Sequence, residues 1–515
     1  MSLLLASAYK QNKKPYIVLT SNLYKAQKIY EYLSSFLPNE EILLFPSDEL
    51  IRSETIAQSK ELVASRIYAL SRLLEKRDRI VVTNVASFIK FLPSLDVFSS
   101  KTFKFTVGNK VNISQLRKSL VEAGYSLVNK VTQSLEFAIR GDIIDIFSVN
   151  LDNPVRIELF DDEIESIRLF DIATQTSTEK IEKVEILPAT EFLLSDEEIS
   201  TSGDKIRAVL EKDKEDLDYD VFDSLLEVTD RDIEYILTNV SSPRLTKYYS
   251  LLSSKPTSLL DYCLNYTVLM VDEPSIFTSE TMMKEESREF FRELYETGKL
   301  ISHLEGYQDI KRLISLHNSP TIRTSVLPTS SSDLLFEIKG VPFQASKKSD
   351  AINIIRSYIN SDYTLSICLS TNEHLAFLSE LLDEEHIPYE MGHDFDLPKK
   401  GKIVIQLTNL SRGFVYSEKK IVYLTSKELF NEKVNTARFD SRFKEGTILK
   451  SFEDLNPGDY VVHEYQGIGQ FLELQTLEVD GVHRDYLKIA YWGDEILYVP
   501  LSQFQLVRKY LGKED

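Results

Sequence analysis

The sequence predicts a multi-domain α/β protein: an α/β domain interrupted by an α+β insert, a second small α/β domain, and a small C-terminal β-barrel. Three observations carry that expectation. The first ~95 residues, and again the stretch from Thr267, read as strands alternating with helices, the pattern of a parallel sheet covered by helices. Between them lies a run of alternating strands and turns. The last ~60 residues are short strands separated by Gly-rich turns, as in small SH3-like barrels.

Each element follows from local pattern. Pro15 to Thr20 (PYIVLT) is a buried strand, and Ser21 and Asn22 can cap a helix from Leu23 to Leu33. Glu41 to Pro46 is a second strand. From Ser59 a helix places Val63, Ile67, Leu70 and Leu74 on one apolar face, and Arg79 to Thr83 is a third strand. Near residue 96 the pattern changes. Phe103 to Val107 alternates, a short helix follows, and Phe137 to Phe147 and Val155 to Phe170 are strand-like, with Asp152-Asn153-Pro154 as a turn between them. Asp196 to Ser254 has helical spacing, and Thr267 to Val271 returns to the strand character of the start. Residues 318–334, with Pro320, Pro328 and a Ser/Thr run, read as a linker. Thr364 to Leu369, a helix from Glu373 to Leu382, Lys402 to Leu407 and Lys420 to Thr425 form the second small α/β unit. Residues 431–450 are polar without a period and read as a second linker. From Phe452 the chain is β throughout, with turns at Asn456-Pro457-Gly458-Asp459, Gly467-Ile468-Gly469, Asp480-Gly481 and Trp492-Gly493-Asp494.

Composition narrows the function classes. The chain has 515 residues, enough for about three to five domains, with 43% apolar and 27% charged residues. Sixty basic against eighty acidic residues leave a formal charge of −20. Cations that neutralise phosphates supply most non-specific DNA affinity, so a protein partner is the better first expectation than a nucleic acid held by the whole surface. Two cysteines, Cys263 and Cys368, are too few for a disulfide framework or a thiolate zinc site. The opening MSLLLASAYKQNKKP is neither a signal peptide nor a spanning helix, and no later stretch approaches twenty uninterrupted apolar residues. A soluble, cytoplasmic protein with no membrane partner is expected.

No catalytic constellation is legible. A phosphate loop needs glycines whose amides cradle phosphate and a lysine that reaches it. No glycine precedes residue 108, and Gly298-Lys299 and Gly401-Lys402 are followed by Leu and Ile. Asp272-Glu273, at the end of a predicted strand, resembles an acidic pair that binds Mg²⁺ in ATPases, but it has no phosphate loop to work against. The seven histidines show no metal-ligand spacing, no G-x-S-x-G elbow exists, and pairs such as Asp161-Asp162 are ordinary in an acidic chain. The expectation is a non-enzymatic chain with no catalytic, cofactor-binding or metal-ligating residues.

Three segments carry a resemblance. Asn22 to Lys28 (NLYKAQK), with Phe45-Pro46 and Glu49, resembles the first domain of the bacterial transcription-repair coupling factor family (Mfd). Phe137 to Phe147 (FAIRGDIIDIF), followed by Pro154 to Ile164 (PVRIELFDDEI), is similar to the second domain that this family shares with the excision-repair protein UvrB. Leu455 to His463, Gly467 to Gly469, Thr476 to Gly481 and Leu497 to Pro500 resemble the family's CarD-like RNA-polymerase-interacting module, of SH3/Tudor-like fold. The resemblance implies these divisions: 1–95 UvrB-like domain 1a, degenerate and without a phosphate loop; 96–195 UvrB-like domain 2, the UvrA-binding insert; 196–318 domain 1b; 319–430 a small α/β domain; 431–449 a linker; and 450–515 the CarD-like module. It further implies that the family's motor, with its ATP and Mg²⁺ and most of its DNA contact, lies beyond Asp515. The aromatic hairpin by which UvrB grips DNA is not visible between Phe45 and Arg66.

By motif, the resemblance carries UvrA binding to Arg140, Arg156 and Phe160. Two guanidiniums and an aromatic are the usual make-up of an interface hot spot. Arg156 and Phe160, four apart on a strand, share a face. The plainer alternative is that Arg156 pairs with Glu158 or Asp161 and that Phe160 is core. In the terminal module the likeness implies pairing of an exposed strand edge with the polymerase β subunit, with Leu477 as apolar anchor. A Leu in so small a barrel is as readily core, and Trp492, the sole tryptophan, suits core filling. Two function classes follow: an adaptor joining stalled RNA polymerase to UvrA for transcription-coupled nucleotide excision repair, or a UvrB-like protein that handles damaged DNA itself.

Overall fold

In a computed structural model the described residues are 1–56, 58–240, 242–328, 330–331, 333–393, 396, 398–408, 410–431, 442–444, 455, 457–463, 467–479, 482–491, 496–501, 503 and 507–509. The first strands are β1 (Tyr16–Thr20), β2 (Ile42–Phe45) and β3 (Ile80–Asn84), each almost wholly buried. Asn22 caps the helix Leu23–Ser34 by accepting from the Lys25 amide at 2.9 Å, and Ser59 caps Lys60–Leu73 by accepting from the Leu62 amide at 3.3 Å.

The insert supplies β4 (Phe103–Thr106), β5 (Ser126–Leu127), β6 (Glu136–Arg140), β7 (Ile143–Ile146), β8 (Val155–Phe160), β9 (Glu163–Phe170), β10 (Ser177–Ile181) and β11 (Lys183–Ile186). Six of them form a sheet in the order β10-β9-β8-β7-β6-β5, while β11 pairs with β4. One face packs Ile144, Ile146, Val155, Ile157 and Ile167 against Leu116 and Leu120 of the helix Ile113–Glu122.

The chain then returns to the first domain through the helices Asp196–Asp213 and Tyr219–Leu237, whose apolar faces meet Phe290 and Phe291 of a long helix, Glu273–Glu296. Strands β12 (Thr267–Met270) and β13 (Thr321–Arg323) complete a parallel sheet, β13-β12-β1-β3-β2. Val18 pairs with Leu269 on one side and Val82 on the other, so the domain is one sheet interrupted by the insert. The opening of the stretch read as a linker, 318–334, is therefore a strand. Its three residues are too few to show a period, and only their pairing with β12 defines them.

The second α/β unit has β14 (Ile338–Gly340), β15 (Thr364–Leu369), β16 (Glu390–Met391), β17 (Ile403–Leu407), β18 (Phe414–Tyr416) and β19 (Ile421–Thr425) in the order β14-β18-β19-β15-β17-β16. A helix over Lys348–Asn360, not singled out from sequence, covers this sheet with Ile352 and Ile355. The two α/β units share a core in which Tyr423 meets Phe36 edge-on, their rings 5.8 Å apart.

The second linker also needs correction where it is described. Residues 442–444 are fastened to the first domain and the insert. The Arg442 and Phe443 amides donate to the Glu61 carboxylate at 3.1 and 3.0 Å, and Phe443 is buried in the main core. Arg442 stacks on Tyr68, and Lys444 and Ser134 exchange hydrogen bonds at 2.9 and 2.8 Å. Polar composition hid one buried aromatic.

The C-terminal strands are β20 (Tyr460–His463), β21 (Gly467–Val479), β22 (Val482–Ala490), β23 (Ile496–Pro500) and β24 (Val507–Lys509), an antiparallel sheet ordered β23-β22-β21-β20-β24. Gly467-Ile468-Gly469, read as a turn, begins β21 instead. Gly469 is required there by close packing, since a Cβ would meet the Ile489 side chain at 2.6 Å. The turns at Asp480-Gly481 and Trp492 to Asp494, with Trp492 itself, lie outside the described residues. Among the described residues no helix is long and apolar enough to cross a membrane.

Candidate protein-docking sites

The three residues singled out in the insert lie on one face of its six-stranded sheet, where Arg140 and Arg156 meet at Asp145 and a small cluster of Val131, Ala138, Phe147 and Phe170 is buried. Along β8 the side chains alternate: Val155, Ile157 and Leu159 are buried, while Arg156, Glu158 and Phe160 turn outward. Phe160 ends the strand 75% exposed, and so is not core. A large aromatic left in water where the strand alternates regularly is the observation that most needs a partner.

Arg156 does not pair with Glu158 or Asp161. Its partner is Asp145 on the neighbouring β7, directly opposite it in register. Nε donates to Oδ1 at 2.7 Å and a terminal nitrogen to Oδ2 at 2.9 Å, a bidentate fork. The other side of the guanidinium stacks on Phe170, 4.5 Å from the ring centre. The hydrogen bonds to Asp145 push the Arg156 pKa above its ordinary value against the opposing effect of burial, with the charges of Asp145 and Glu158 adding. Arg140, at the end of β6, donates to the same Asp145 Oδ2 at 2.7 Å and is itself 49% exposed.

Asp145, 1% exposed, is thus the hub that orients both arginines, and sequence reading missed it. The signal was present: a carboxylate within Ile143-Ile144-Asp145-Ile146 must find cationic or amide partners when its strand is buried. The identity of those partners depends on strand order, which no local pattern shows.

Leu477 lies near the tip of the β21–β22 hairpin, half-buried and outside the module's core cluster of Val461, Phe471, Leu487, Ile489, Val499 and Val507. β20 pairs only with Gly467–Gln470, and Phe471 exchanges backbone hydrogen bonds with Gly458 and Asp459, so from Leu472 to Val479 one edge of β21 meets no described strand. Leu477 pairs with Arg484 on the other edge. A strand edge of this length, unpaired among the described residues, can accept a further strand through its backbone.

The helix that follows β1 begins on side-chain carboxylate and amide oxygens of the protein itself. After β1, the Leu23 amide that opens the helix donates to the Glu49 carboxylate, and Asn22 takes the Lys25 amide. An anion at this helix N-terminus would compete with a resident carboxylate. At the end of β12, Glu273 sits 3.4 Å from the Arg323 guanidinium. Among the described residues no three His, Cys, Asp or Glu side chains gather as they would around a metal ion. A buried ionic network instead joins the insert to the first domain: Arg66 pairs with Glu191 and Glu54, and Lys90 reaches Glu54 at 3.2 Å. Burial alone would raise the Glu54 pKa, but Lys90 and Arg66 overcome it and hold the carboxyl well below its usual range.

The UvrB interaction domain family matches residues 103–192, the sheet that carries Arg140, Asp145, Arg156 and Phe160. The CarD-like/TRCF RID domain family matches residues 455–511, the sheet that contains β21. The transcription-repair-coupling factor of Bacillus subtilis (strain 168) is 33% identical over 512 residues, covering 98% of this chain and 44% of the relative. The proteins of the same name from Staphylococcus haemolyticus and Staphylococcus epidermidis are 28% and 29% identical, covering 99% of this chain and 44% of each relative. Along nearly its whole length the chain is similar to part of these transcription-repair-coupling factors, and it spans less than half the length of these relatives.

Proposed function

We propose that this chain is an adaptor: it binds stalled RNA polymerase through the C-terminal module and recruits UvrA through the insert, for transcription-coupled nucleotide excision repair in the cytoplasm. The observation that carries the reading is Phe160, exposed beside the Asp145-anchored Arg140 and Arg156 on a UvrB interaction domain. Arg140, Arg156 and Phe160 make the UvrA contact. The edge of β21 from Leu472 to Val479 pairs with a strand of the polymerase β subunit, with Leu477 seated in an apolar pocket there. The terminal module folds as a small barrel of SH3/Tudor type. The first α/β domain, the insert, the second α/β domain and the terminal module occupy 1–95 with 196–318, 96–195, 319–430 and 450–515.

In this reading the chain itself takes no nucleotide or metal, since Glu49 occupies the helix terminus where phosphate would bind. Direct handling of DNA is the second reading, disfavoured by the charge of −20.

The test uses the full chain. Arg140→Ala and Phe160→Ala are each expected to weaken UvrA binding by roughly thirtyfold, the scale of a 2 kcal/mol hot spot, while leaving polymerase binding intact. Leu477→Arg is expected to abolish capture of the β subunit with an unchanged melting temperature. Normal UvrA binding by folded Phe160→Ala refutes the first assignment, and a large melting drop in Leu477→Arg refutes the second.

A further inference from the structure

Beyond Phe160, the face of the insert that carries it continues across two further strands. Arg156 of β8 lies directly opposite Arg168 of β9, and Arg168 directly opposite Lys180 of β10. Side chains opposite one another in adjacent strands project from the same face, about 5 Å apart. Three cations thus stand in one transverse row, in a chain whose net charge is −20. Like charges in direct register destabilise a sheet, so this row works against the fold that displays it.

Within the row Arg156 is neutralised by a close bidentate pair with Asp145 next to it, whereas Arg168 has only a long ion pair. Arg168 is 43% exposed, and its nearest carboxylate oxygen, Oε2 of Glu158, stands 3.9 Å away and already accepts from the Ser166 hydroxyl at 2.7 Å. The Arg168 Nε is buried with no hydrogen-bond partner among the described residues. Lys180 is exposed, with no ion pair among the described residues.

We propose that Arg168 and Lys180 extend the docking face into a cationic track that takes an acidic segment of the partner protein, laid across the strands with carboxylates spaced to match. This rests on the reading that the same face binds UvrA. The partner class is an acidic polypeptide rather than a nucleic acid. Glu158 projects from the same face beside the row, and the exposed turn Asp161-Asp162-Glu163 closes its Phe160 end, so a continuous phosphate backbone would meet carboxylates where discrete side chains need not. Arg168 and Lys180 would act as rim charges that steer encounter, with Phe160 holding the complex once formed.

The experiment measures association and dissociation rates of the full chain with UvrA at low and high salt. Arg168→Glu and Lys180→Glu are each expected to slow association about tenfold at low salt, flatten its salt dependence and leave dissociation unchanged. Arg168→Gln, which removes charge at similar length, should slow association about threefold and guards against a folding defect in the reversal. Phe160→Ala should instead speed dissociation. If the charge variants associate normally while Phe160→Ala is impaired, the cationic track is refuted and the docking face stands. If Phe160→Ala is also normal, the docking reading itself fails. A salt-sensitive affinity of the chain for a duplex oligonucleotide that Arg168→Glu abolishes would overturn the choice of an acidic polypeptide.

Discussion

Removing the Asp145 carboxylate tests whether the docking face is held together as the geometry indicates. Asp145→Ala breaks three charge-assisted hydrogen bonds, two from Arg156 and one from Arg140. The two arginines do not suffer equally. Arg156 is only 16% exposed, so losing its bidentate partner leaves a largely buried charge unpaired, at a cost of about 2–3 kcal/mol. Arg140, 49% exposed, rehydrates, and its pair contributes about 0.5–1 kcal/mol. The cation–π contact of Arg156 with Phe170 survives in the variant and is not part of the loss. Double-mutant cycles should therefore give a coupling of about 2 kcal/mol between positions 145 and 156 and well under 1 kcal/mol between 145 and 140. A chain with several domains does not unfold in one step, so the measurement is hydrogen exchange of the β7 and β8 amides in the full chain, read as a local opening free energy. Equal couplings, or a 145–156 coupling near zero, would refute the assignment of Asp145 as the hub.

Two further outcomes follow from contacts between parts of the chain. Phe443→Ala should release the 442–444 segment: burial of a Phe side chain is worth about 3 kcal/mol, so exchange at the Ser134 amide, which donates to the Lys444 carbonyl, should accelerate by roughly a hundredfold while β1 and β3 stay protected. Unchanged exchange at Ser134 would show that the segment is not fastened there. Asp48 accepts from the Leu50 amide and from Gln503 of the C-terminal module, and burial pushes its pKa up to about 6. A carboxyl whose folded pKa lies above its unfolded value of 3.8 binds the proton more tightly when folded, so stability is lost as pH rises from about 4 through 6. Asp48→Asn should accordingly raise the local opening free energy at the Leu50 amide above that of the parent at pH 7.5, by about 2 kcal/mol, with the difference closing by about pH 4 in parallel hydrogen-exchange measurements. A difference independent of pH would place the Asp48 carboxyl in water.

The sequence by itself determined many of the elements. Apolar runs, caps such as Asn22 and Ser59, and the alternation along Val155 to Phe160 are local properties. A strand or helix is recognised by which of its own side chains must leave water. The motifs around Arg140, Arg156, Phe160 and Leu477 are local too, and mark these residues by resemblance as candidates for docking. Partnership is not local. That β12 and β13 join β1 across the whole insert, that Asp145 rather than Glu158 holds Arg156, and that Arg168 and Lys180 continue its row depend on strand order and register, which bring together residues far apart in the chain. The polar stretch around Phe443 makes the same point from the other side. A single aromatic has no period, and it is buried only because Glu61, Tyr68 and Ser134, each more than three hundred residues ahead of it, present a surface for it. Local hydrophobic pattern says what must be covered; only the tertiary structure decides by what.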